Sequence, residues 1–493
     1  MALLAIDAGT TGVTALIVDD QGEVRSRGYR EFPQHFPQPG WVEHSPDEIW
    51  DATLAAVRDA IDSAHDITLR DLTALGITNQ RETIVVWHRD TLRSPRRAIV
   101  WQDRRTADIV TELRARAVEP WVRERTGLGL DPYFSSTKLL WLARNEPTLW
   151  DRVRDGLLRI GTVDSYLIAR LTGGRLHLTD ATNASRTQLL DLRTATWDPD
   201  LLDLFDVPVD ALPDVVPSSG VVGTTDPDAF LGLTIPIAGI AGDQQAALFG
   251  QGCVTAGDTK CTYGTGAFIL MHTGTAAVSS THGLLTTIAL QEPDGRLAYA
   301  LEGSVFVAGA AVQWLRDGLG IIDSASDVEG LASSVDSSDG VVFVPALTGL
   351  GAPHWDPSAR GTILGITRGT TSAHIARATL EAIAWQVSDV VAAMEADAGQ
   401  RIDGIRVDGG AAANNLLMQM QSDALRVPVI RARALETTAL GAAFLAGLAT
   451  GIWRDRSELR SAIRTDRTFA PGRDAPDRAR WTAAVARARD WDR

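Results

Sequence analysis

A strand, a Gly/Thr turn and a second strand occur once in each half of this 493-residue chain, and this repeat limits the possible folds most. The first copy is residues 3–19, with its turn at residues 9–12, and the second is residues 258–271, with its turn at residues 264–266. Alternating strands and helices follow each hairpin, which is typical of an α/β domain. The repeat therefore predicts an old duplication, with two α/β domains facing each other across a cleft.

Asp243 lies near the midpoint of the chain, between a small-residue turn and a helix-forming run. This pattern predicts an acid that caps the N-terminus of a helix, where a negative charge is stabilised. The two Gly/Thr turns expose backbone N–H groups and hydroxyls, which suit a phosphate, and a domain junction is a favoured ligand site. Together these features indicate a central phosphate-binding cleft that contains Asp243.

Composition and charge exclude several functional classes. A net charge of -15 would repel nucleic acids and anionic membranes. The longest apolar stretch, residues 439–453, is too short for a membrane span and predicts a buried, closely packed helix. The first charged residue, Asp7, comes too early for a secretory signal. With only Cys253 and Cys261 the chain has no disulfide framework, and we expect it in a reducing cytoplasm.

Several common nucleotide and metal motifs are absent from the sequence. It contains no P-loop, no dinucleotide-binding glycine motif after a strand, no protein-kinase signature and no Cys/His spacing for zinc. Of the 47 basic residues only Lys138 and Lys260 are lysine. Nucleotide bias in the genome is the simpler explanation; the alternative is that arginine, with its different shape and hydration, cannot replace lysine at these two positions.

Strings spread along the chain carry a resemblance to a known family. They are residues 76–83 (GITNQRET), 98–102 (AIVWQ), 131–134 (DPYF), 161–164 (GTVD), 182–186 (TNASR), 239–245 (GIAGDQQ) and 349–357 (GLGAPHWDP). In them the chain resembles the carbohydrate kinases of the sugar kinase, actin and chaperone-ATPase superfamily, most specifically the members that phosphorylate glycerol. The resemblance implies an α/β fold of two duplicated RNase H-like (actin-like ATPase) domains facing each other across a catalytic cleft. Residues 1–242 would carry the acceptor site and the first phosphate hairpin, and residues 243–493 the adenine nucleotide site.

The same resemblance implies a set of site residues. Glycerol would contact Arg81, Glu82, Trp101, Tyr133, Asp243, Gln244 and Phe268. ATP would contact Thr10, Thr11, Gly12, Thr265, Gly309, Gln313, Gly410 and Asn414. Asp7 and Asp243 would hold Mg²⁺, largely through water. Asp243 would also be the general base.

These residue types suit the implied reaction, the ATP-dependent phosphorylation of glycerol to sn-glycerol 3-phosphate. A small polyol needs several donors and acceptors and aromatic walls, and a site that bonds each hydroxyl rejects analogues lacking one. Because adjacent strand residues point to opposite faces, Arg81 and Glu82 can reach one ligand only if the chain leaves strand geometry there. In an in-line transfer the hydroxyl proton leaves late, so positioning of Asp243 matters more than its basicity.

Two segments depart from the pattern of similar kinases. Their first turn usually reads Asp-Gln-Gly-Thr-Thr-Ser-Ser-Arg, whereas here Gly12, Val13 and Thr14 replace the serines and the arginine. Losing that arginine removes charge-assisted bonds to phosphate, so we expect weaker ATP binding. In kinases inhibited by fructose 1,6-bisphosphate, glycines and an arginine precede an Ile-Pro-Ile segment. Residues 225–234 here hold two acids and no base, which predicts insensitivity to the bisphosphate.

Two other functions fit the same fold. One is a kinase for another short polyol or sugar, although the Arg, Glu, Trp, Tyr and Phe set favours a small acceptor. The other is a non-catalytic protein that closes on glycerol, but such a protein has no need to keep both Asp7 and Asp243. We expect a homo-oligomer, a dimer or a tetramer, whose substrates are glycerol and ATP.

Overall fold

Two large mixed sheets, one from each half of the chain, form the framework of the fold. The structure is a computed structural model that describes residues 1–434, 436–472 and 477–492. The first sheet consists of β1 (Ala2–Ala8), β2 (Gly12–Asp19), β3 (Val24–Glu31), β4 (Leu72–Asn79), β5 (Ser219–Thr224) and β6 (Pro236–Gly242). The second consists of β7 (Thr259–Tyr263), β8 (Ala267–Gly274), β9 (Leu285–Gln291), β10 (Leu297–Val305), β11 (Ile405–Asp408), β12 (Val429–Ala432) and β13 (Thr465–Phe469).

The two sheets share one pairing pattern, which confirms the predicted duplication. Their strand orders are β5-β6-β4-β1-β2-β3 and β9-β10-β8-β7-β11-β12-β13. In the first sheet β1 pairs antiparallel with β2 and parallel with β4, and β4 is parallel to β6. In the second β7 pairs antiparallel with β8 and parallel with β11, and β11 is parallel to β12. Each predicted hairpin is therefore an interior pair of strands in its own sheet.

Helices cover the sheets and fill the connections between strands. They are α1 (Pro46–Asp62), α2 (Ala107–Ala115), α3 (Glu119–Thr126), α4 (Ser135–Asn145), α5 (Pro147–Arg154), α6 (Val163–Leu171), α7 (Ala181–Ala184), α8 (Pro199–Leu204), α9 (Asp243–Gly250), α10 (Gly309–Asp317), α11 (Asp327–Ser333), α12 (Ser372–Ala398), α13 (Asn415–Leu425), α14 (Thr437–Ala449), α15 (Arg456–Ala462) and α16 (Arg478–Ala488). Apolar residues of α1 and α6 pack with the first sheet, and those of α12 and α13 with the second.

Helix α14 is the buried, closely packed helix that the apolar stretch predicts. It lies against the first sheet, where a Cβ on Gly76 of β4 would approach Ala442 O to 2.1 Å. It also lies against α9, where a Cβ on Gly441 would be 1.9 Å from Ala246 O. Side chains at these glycines would force the backbones apart. A helix from the second half of the chain thus covers one face of the first sheet. The domain division between residues 242 and 243 stays a prediction.

Parallel pairing brings the carboxyl ends of three strands to one edge of the first sheet. The last residues of β1 and β6, Ala8 and Gly242, are both in register with Asn79 at the end of β4. The first Gly/Thr turn, Arg81 and Asp243 follow directly after these ends. Such an edge is the usual ligand site of an open α/β sheet. Within the described residues, no helix is both long enough and apolar enough to span a bilayer.

Candidate active site

Two side-chain amides donate hydrogen bonds to the backbone of the turn between β1 and β2. Gln80 Nε2 donates to Gly9 O (2.9 Å), and Gln34 Nε2 donates to Thr10 O (2.9 Å). His44 joins the two amides, with Nδ1 3.2 Å from Gln80 Nε2 and Nε2 2.6 Å from Gln34 Oε1. Burial lowers the pKa of His44 to about 4, so the imidazole is uncharged at neutral pH. The backbone of the turn is therefore fixed without a charged side chain.

The side of this turn explains one departure from similar kinases. Gly12 begins β2, and a Cβ there would lie 2.7 Å from Arg30 O and 2.8 Å from the hydroxyl of Tyr29. A serine could not fit unless both the Tyr29 side chain and the β3 backbone at Arg30 moved, because those distances are shorter than any normal Cβ contact. On the cleft side, Thr10 Oγ1 accepts a hydrogen bond from Trp101 Nε1 (3.0 Å). This bond links a predicted phosphate residue directly to a predicted acceptor residue.

The turn between β7 and β8 is held by the start of α10. Ala308 N and Ala310 N donate to Thr265 O (2.9 and 3.0 Å), and Gly309 N donates to Gly264 O (3.0 Å). A Cβ on Gly309 would approach Gly264 O to 2.6 Å, so only glycine allows this contact. The second turn and the helix start consequently form one rigid unit.

The predicted nucleotide residues of the second half surround one cavity of about 420 Å³. Thr265, Gly309, Gln313, Gly410 and Asn414 all line it. Its wall also includes Glu329 of α11, which the sequence does not identify as a site residue; Glu329 Oε1 accepts from the backbone N–H of Leu416 (3.3 Å). A cavity of this size suits a nucleoside. Thr10, Thr11 and Gly12 belong to the hairpin of the other sheet and do not line it.

Arg81 and Glu82 leave strand geometry, as the sequence predicts. Strand β4 ends at Asn79, and Glu82 has a φ of 59°, in the left-handed region. Both side chains are buried, with 2% of Arg81 and 1% of Glu82 exposed. A backbone of this kind, uncommon for a non-glycine residue, persists only where its surroundings hold it. Here a set of buried ion pairs does so.

Two arginines and two glutamates form a buried ring of charges around this corner. Glu302 of β10 accepts from Arg81 through both oxygens, at 2.7 and 2.9 Å. Arg186 donates from Nη2 to Glu302 Oε1 (3.1 Å) and from Nε to Glu82 Oε1 (2.7 Å). The formal charges cancel, which is the condition under which buried ions are tolerated. The ring joins the first sheet to the second through Glu302.

The two arginines of the ring keep Glu302 ionised. Burial raises the pKa of Glu302, but attraction to Arg186 and Arg81 outweighs it and lowers the pKa to about 2. Burial raises the pKa of Glu82, and the same two arginines oppose that effect. The sequence does not identify Glu302 or Arg186 as site residues. Arg186 ends one of the recognised strings, but Glu302 lies in an apolar strand without any local signal.

Aromatic side chains form a wall beside the ring. The rings of Tyr133 and Trp101 meet edge to face with centroids 5.5 Å apart, and Arg81 Nη2 lies 3.4 Å from the Tyr133 hydroxyl. Phe268 lies on β8, two residues before Leu270, which pairs with Glu302 of β10. Because alternate strand residues point to the same face, Phe268 and Glu302 lie on one face of the second sheet. The predicted acceptor residues therefore come from both halves of the chain.

Asp243 is the first residue of α9, and Gly242 rather than Asp243 occupies the N-cap position. The predicted cap is thus wrong in detail: the carboxylate bonds to the next residue, with Oδ1 accepting from Gln244 N (2.7 Å), and to Arg81 Nε at 3.1 Å. Burial raises the pKa of Asp243, while Arg81 and Lys260 oppose the rise. About 30% of the side chain remains exposed. The acid therefore combines a raised pKa with access from outside.

Lys260 fixes the orientation of the Gln244 amide. Its buried ammonium donates to Gln244 Oε1 and to Thr262 Oγ1, the latter at 2.9 Å. Since Oε1 faces the ammonium, the amide nitrogen is the part of Gln244 that is left to donate to a ligand.

Asp7 has the chemistry of a metal ligand. Its Oδ1 is buried and has no hydrogen-bond partner. Burial, followed by repulsion from Asp243 and Glu436, raises its pKa well above the ordinary value. A cation between Asp7 and Asp243 would give the buried Oδ1 a partner and would offset the repulsion between the two carboxylates. No group of three or more Asp, Glu, His or Cys that could hold a metal occurs among the described residues.

Comparison with known proteins places this geometry in a family. Residues 2–250 match the N-terminal domain, and residues 259–450 the C-terminal domain, of the FGGY family of carbohydrate kinases. The chain is 53% identical to the glycerol kinase of Deinococcus radiodurans, over 99% of this chain and 98% of that one, and 55% identical to that of Trichlorobacter lovleyi, over 99% of each. It superposes on the crystal structure of Plasmodium falciparum glycerol kinase with ADP with a TM-score of 0.91, at 35% identity, covering 99% and 98% of the two chains. The similarity therefore includes both sheets and both Gly/Thr turns.

Proposed function

The chain belongs to the FGGY family of carbohydrate kinases, and from that premise we propose how its cleft phosphorylates glycerol with ATP to give sn-glycerol 3-phosphate. The choice of glycerol is supported by identity above half with glycerol kinases along almost the whole chain. The residue roles are supported above all by one contact, the 3.1 Å between Arg81 Nε and Asp243 Oδ1, which joins the acceptor pair to the acid.

Glycerol binds between the ring of charges and the aromatic wall. Arg81 and Glu82 bond to its hydroxyls, with Gln244 donating from its free amide nitrogen, and Trp101, Tyr133 and Phe268 enclose its carbon edge. The ring supports this assignment because Glu302 and Arg186 hold Arg81 and Glu82 before any ligand arrives. Preorganised donors lower the entropy that binding costs.

Asp243 accepts the proton of the attacking hydroxyl. Both of its contacts are made by Oδ1, so Oδ2 is the oxygen available to glycerol. Because the hydroxyl proton leaves late in an in-line transfer, the position of this oxygen matters more than the basicity of the carboxylate. Arg81 keeps it oriented, and in-line attack on the γ-phosphorus follows from that position.

ATP lies with its base in the cavity beside Gln313 and Asn414 and its phosphates between the two Gly/Thr turns. Thr10, Thr11 and Gly12 approach from one sheet and Thr265 from the other, while Gly309 and Gly410 allow close contact. Closure of residues 1–242 on residues 243–493 would complete this site and exclude water, which competes with glycerol as acceptor.

Asp7 and Asp243 are the proposed Mg²⁺ ligands. The orphaned Oδ1 of Asp7 supports this role. When bound, Mg²⁺ neutralises charge on the phosphates of ATP. We further propose a homo-oligomer, a dimer or tetramer, in a reducing cytoplasm, the latter because Cys253 and Cys261 are both free thiols.

An acceptor comparison tests the function. ADP release is measured with glycerol, erythritol, ribitol, xylulose and no acceptor, and kcat/KM should be highest for glycerol because the larger acceptors need a roomier site. Faster turnover of a larger acceptor would favour the other-polyol kinase. Tight glycerol binding without ADP release would favour the non-catalytic protein.

Fructose 1,6-bisphosphate is expected not to inhibit the enzyme. The segment 225–234 offers Asp226 and Asp228, and the arginine that contacts it, Arg175, is already paired with Asp226 and bonded to Thr224 O (3.3 Å). A bisphosphate would have to displace that pair and approach two acids. Initial rates with the bisphosphate should equal those with the same concentration of fructose 6-phosphate. Inhibition by the bisphosphate alone would contradict this prediction.

A further inference from the structure

Lys138 makes three hydrogen bonds to three consecutive carbonyls. The side chain, on α4, is fully buried. Its ammonium donates to Pro132 O at 2.6 Å, Tyr133 O at 2.7 Å and Phe134 O at 3.0 Å. An ammonium has three donors and no acceptor, so Lys138 uses its whole bonding capacity on one short loop. The carbonyls of residues 132–134 therefore converge on one point, the Lys138 ammonium.

The shape of the cation matters here. A lysine ammonium is a compact point charge, whereas a guanidinium is planar and directs five N–H bonds outward in a fork. Converging carbonyls fit the first shape and not the second. This accounts for one of only two lysines among the 47 basic residues of the chain. Removing the ammonium would take one hydrogen-bond donor from each of the three carbonyls.

The loop that Lys138 holds carries the aromatic wall of the acceptor site. Tyr133 meets Trp101 edge to face, at 5.5 Å between centroids, and its hydroxyl lies 3.4 Å from Arg81 Nη2. Tyr133 also packs on Phe134, at 5.1 Å between centroids. The direction of the Tyr133 ring therefore depends on the path of the backbone that Lys138 fixes. The ammonium of Lys138 bonds to main-chain carbonyls of this loop, so Lys138 acts on the acceptor through Tyr133.

We propose that Lys138 is a positioning residue for the acceptor: by fixing the carbonyls of the 132–134 loop it holds Tyr133 against the substrate and keeps the site small. This inference rests on the proposed glycerol phosphorylation. It places acceptor affinity and selectivity, rather than binding of the nucleotide base, under the control of Lys138, because none of residues 132–134 lines the nucleotide cavity.

The test compares Lys138→Met and Lys138→Arg with the unaltered enzyme. For Lys138→Met the KM for glycerol should rise about 10-fold or more while the KM for ATP stays within about two-fold, since only the acceptor wall is displaced. The preference for glycerol over erythritol, as a ratio of kcat/KM values, should fall. Lys138→Arg retains a cation but not the compact shape that fits the three carbonyls, so it should also raise the KM for glycerol.

Arg377→Met is the matched control. Arg377 also donates to main-chain carbonyls, those of Ala332 (3.4 Å) and Val335 (2.8 Å). It lies on α12, which packs with the second sheet, and it is far from Tyr133 in the chain. Its loss should leave the KM for glycerol unchanged. Thermal unfolding of every variant gives the stability change separately.

The possible outcomes separate the two hypotheses. If the unaltered enzyme does not phosphorylate glycerol, the proposed function fails, whatever the variants do. If it does, an unchanged KM for glycerol in Lys138→Arg or in folded Lys138→Met overturns the positioning role. Equal rises in the KM values for glycerol and ATP overturn it too, because they indicate a general loss of structure. If Lys138→Met does not fold, Lys138→Arg alone decides.

Discussion

Replacing Asp243 by asparagine is expected to lower kcat for glycerol phosphorylation by about 10²- to 10⁴-fold, the usual contribution of a positioned general base. The amide keeps the size of the carboxylate, and its oxygen can still accept from Arg81 Nε and Gln244 N, the two contacts that Oδ1 makes. It cannot accept a proton. The KM for glycerol should therefore change far less than kcat.

Asp47→Asn provides the control for this substitution. Asp47 lies in the first turn of α1 and pairs with Arg170 Nη1 at 3.0 Å, so it is also an acid beside an arginine at a helix start. Because its side-chain partners are Tyr166 and Arg170 of α6, which are not site residues, its loss should leave kcat unchanged. Steady-state kinetics, with circular dichroism to check folding, make the comparison. Equal turnover by Asp243→Asn and the unaltered enzyme would remove the base assignment.

Much of the framework follows from local sequence. The Gly/Thr turns mark both hairpins because only small and hydroxyl residues suit such tight tips. The close packing of α14 is visible as an Ala/Gly-rich run, in which Gly441 lets the helix approach α9. Ser45 caps α1 and Pro46 is its first residue, and both residue types are typical of a helix start. Even the irregular backbone at Glu82 follows from the requirement that two adjacent side chains reach one ligand.

The supports of the site could not be predicted in the same way. Glu302 is 221 residues from Arg81, and nothing in its own strand marks it as a partner for a cation. Gln34 and His44 hold the first turn from a segment that reads as an ordinary connection. Such pairings exist only after the sheets have packed, so no spacing or periodicity encodes them. The family resemblance identifies residues that contact ligands. It says less about the residues that hold those contact residues in place.

Replacing Glu302 by glutamine is expected to be the most destabilising of these changes. Breaking a buried ion pair by removing one partner costs about 3–5 kcal/mol, since the remaining charge stays buried without compensation. Here two arginines, Arg81 and Arg186, lose the same partner. The freed charge of Arg81 would also draw closer to Asp243 and weaken it as a base, so kcat should fall as well. Chemical denaturation gives the change in the free energy of unfolding.

The pH dependence distinguishes this effect from a simple loss of packing. The pKa of Glu302 is lowered to about 2 in the folded protein, against 4.5 ordinarily, so the ionised acid adds stability above the ordinary pKa and loses it as the pH falls toward the folded value. The difference in unfolding free energy between the unaltered enzyme and Glu302→Gln should therefore shrink from neutral pH to about pH 3. Glu112→Gln, which breaks an exposed pair with Arg144, should scarcely change stability at either pH. A difference that is constant with pH would mean that glutamine disrupts packing and that the charge of Glu302 does not stabilise the ring.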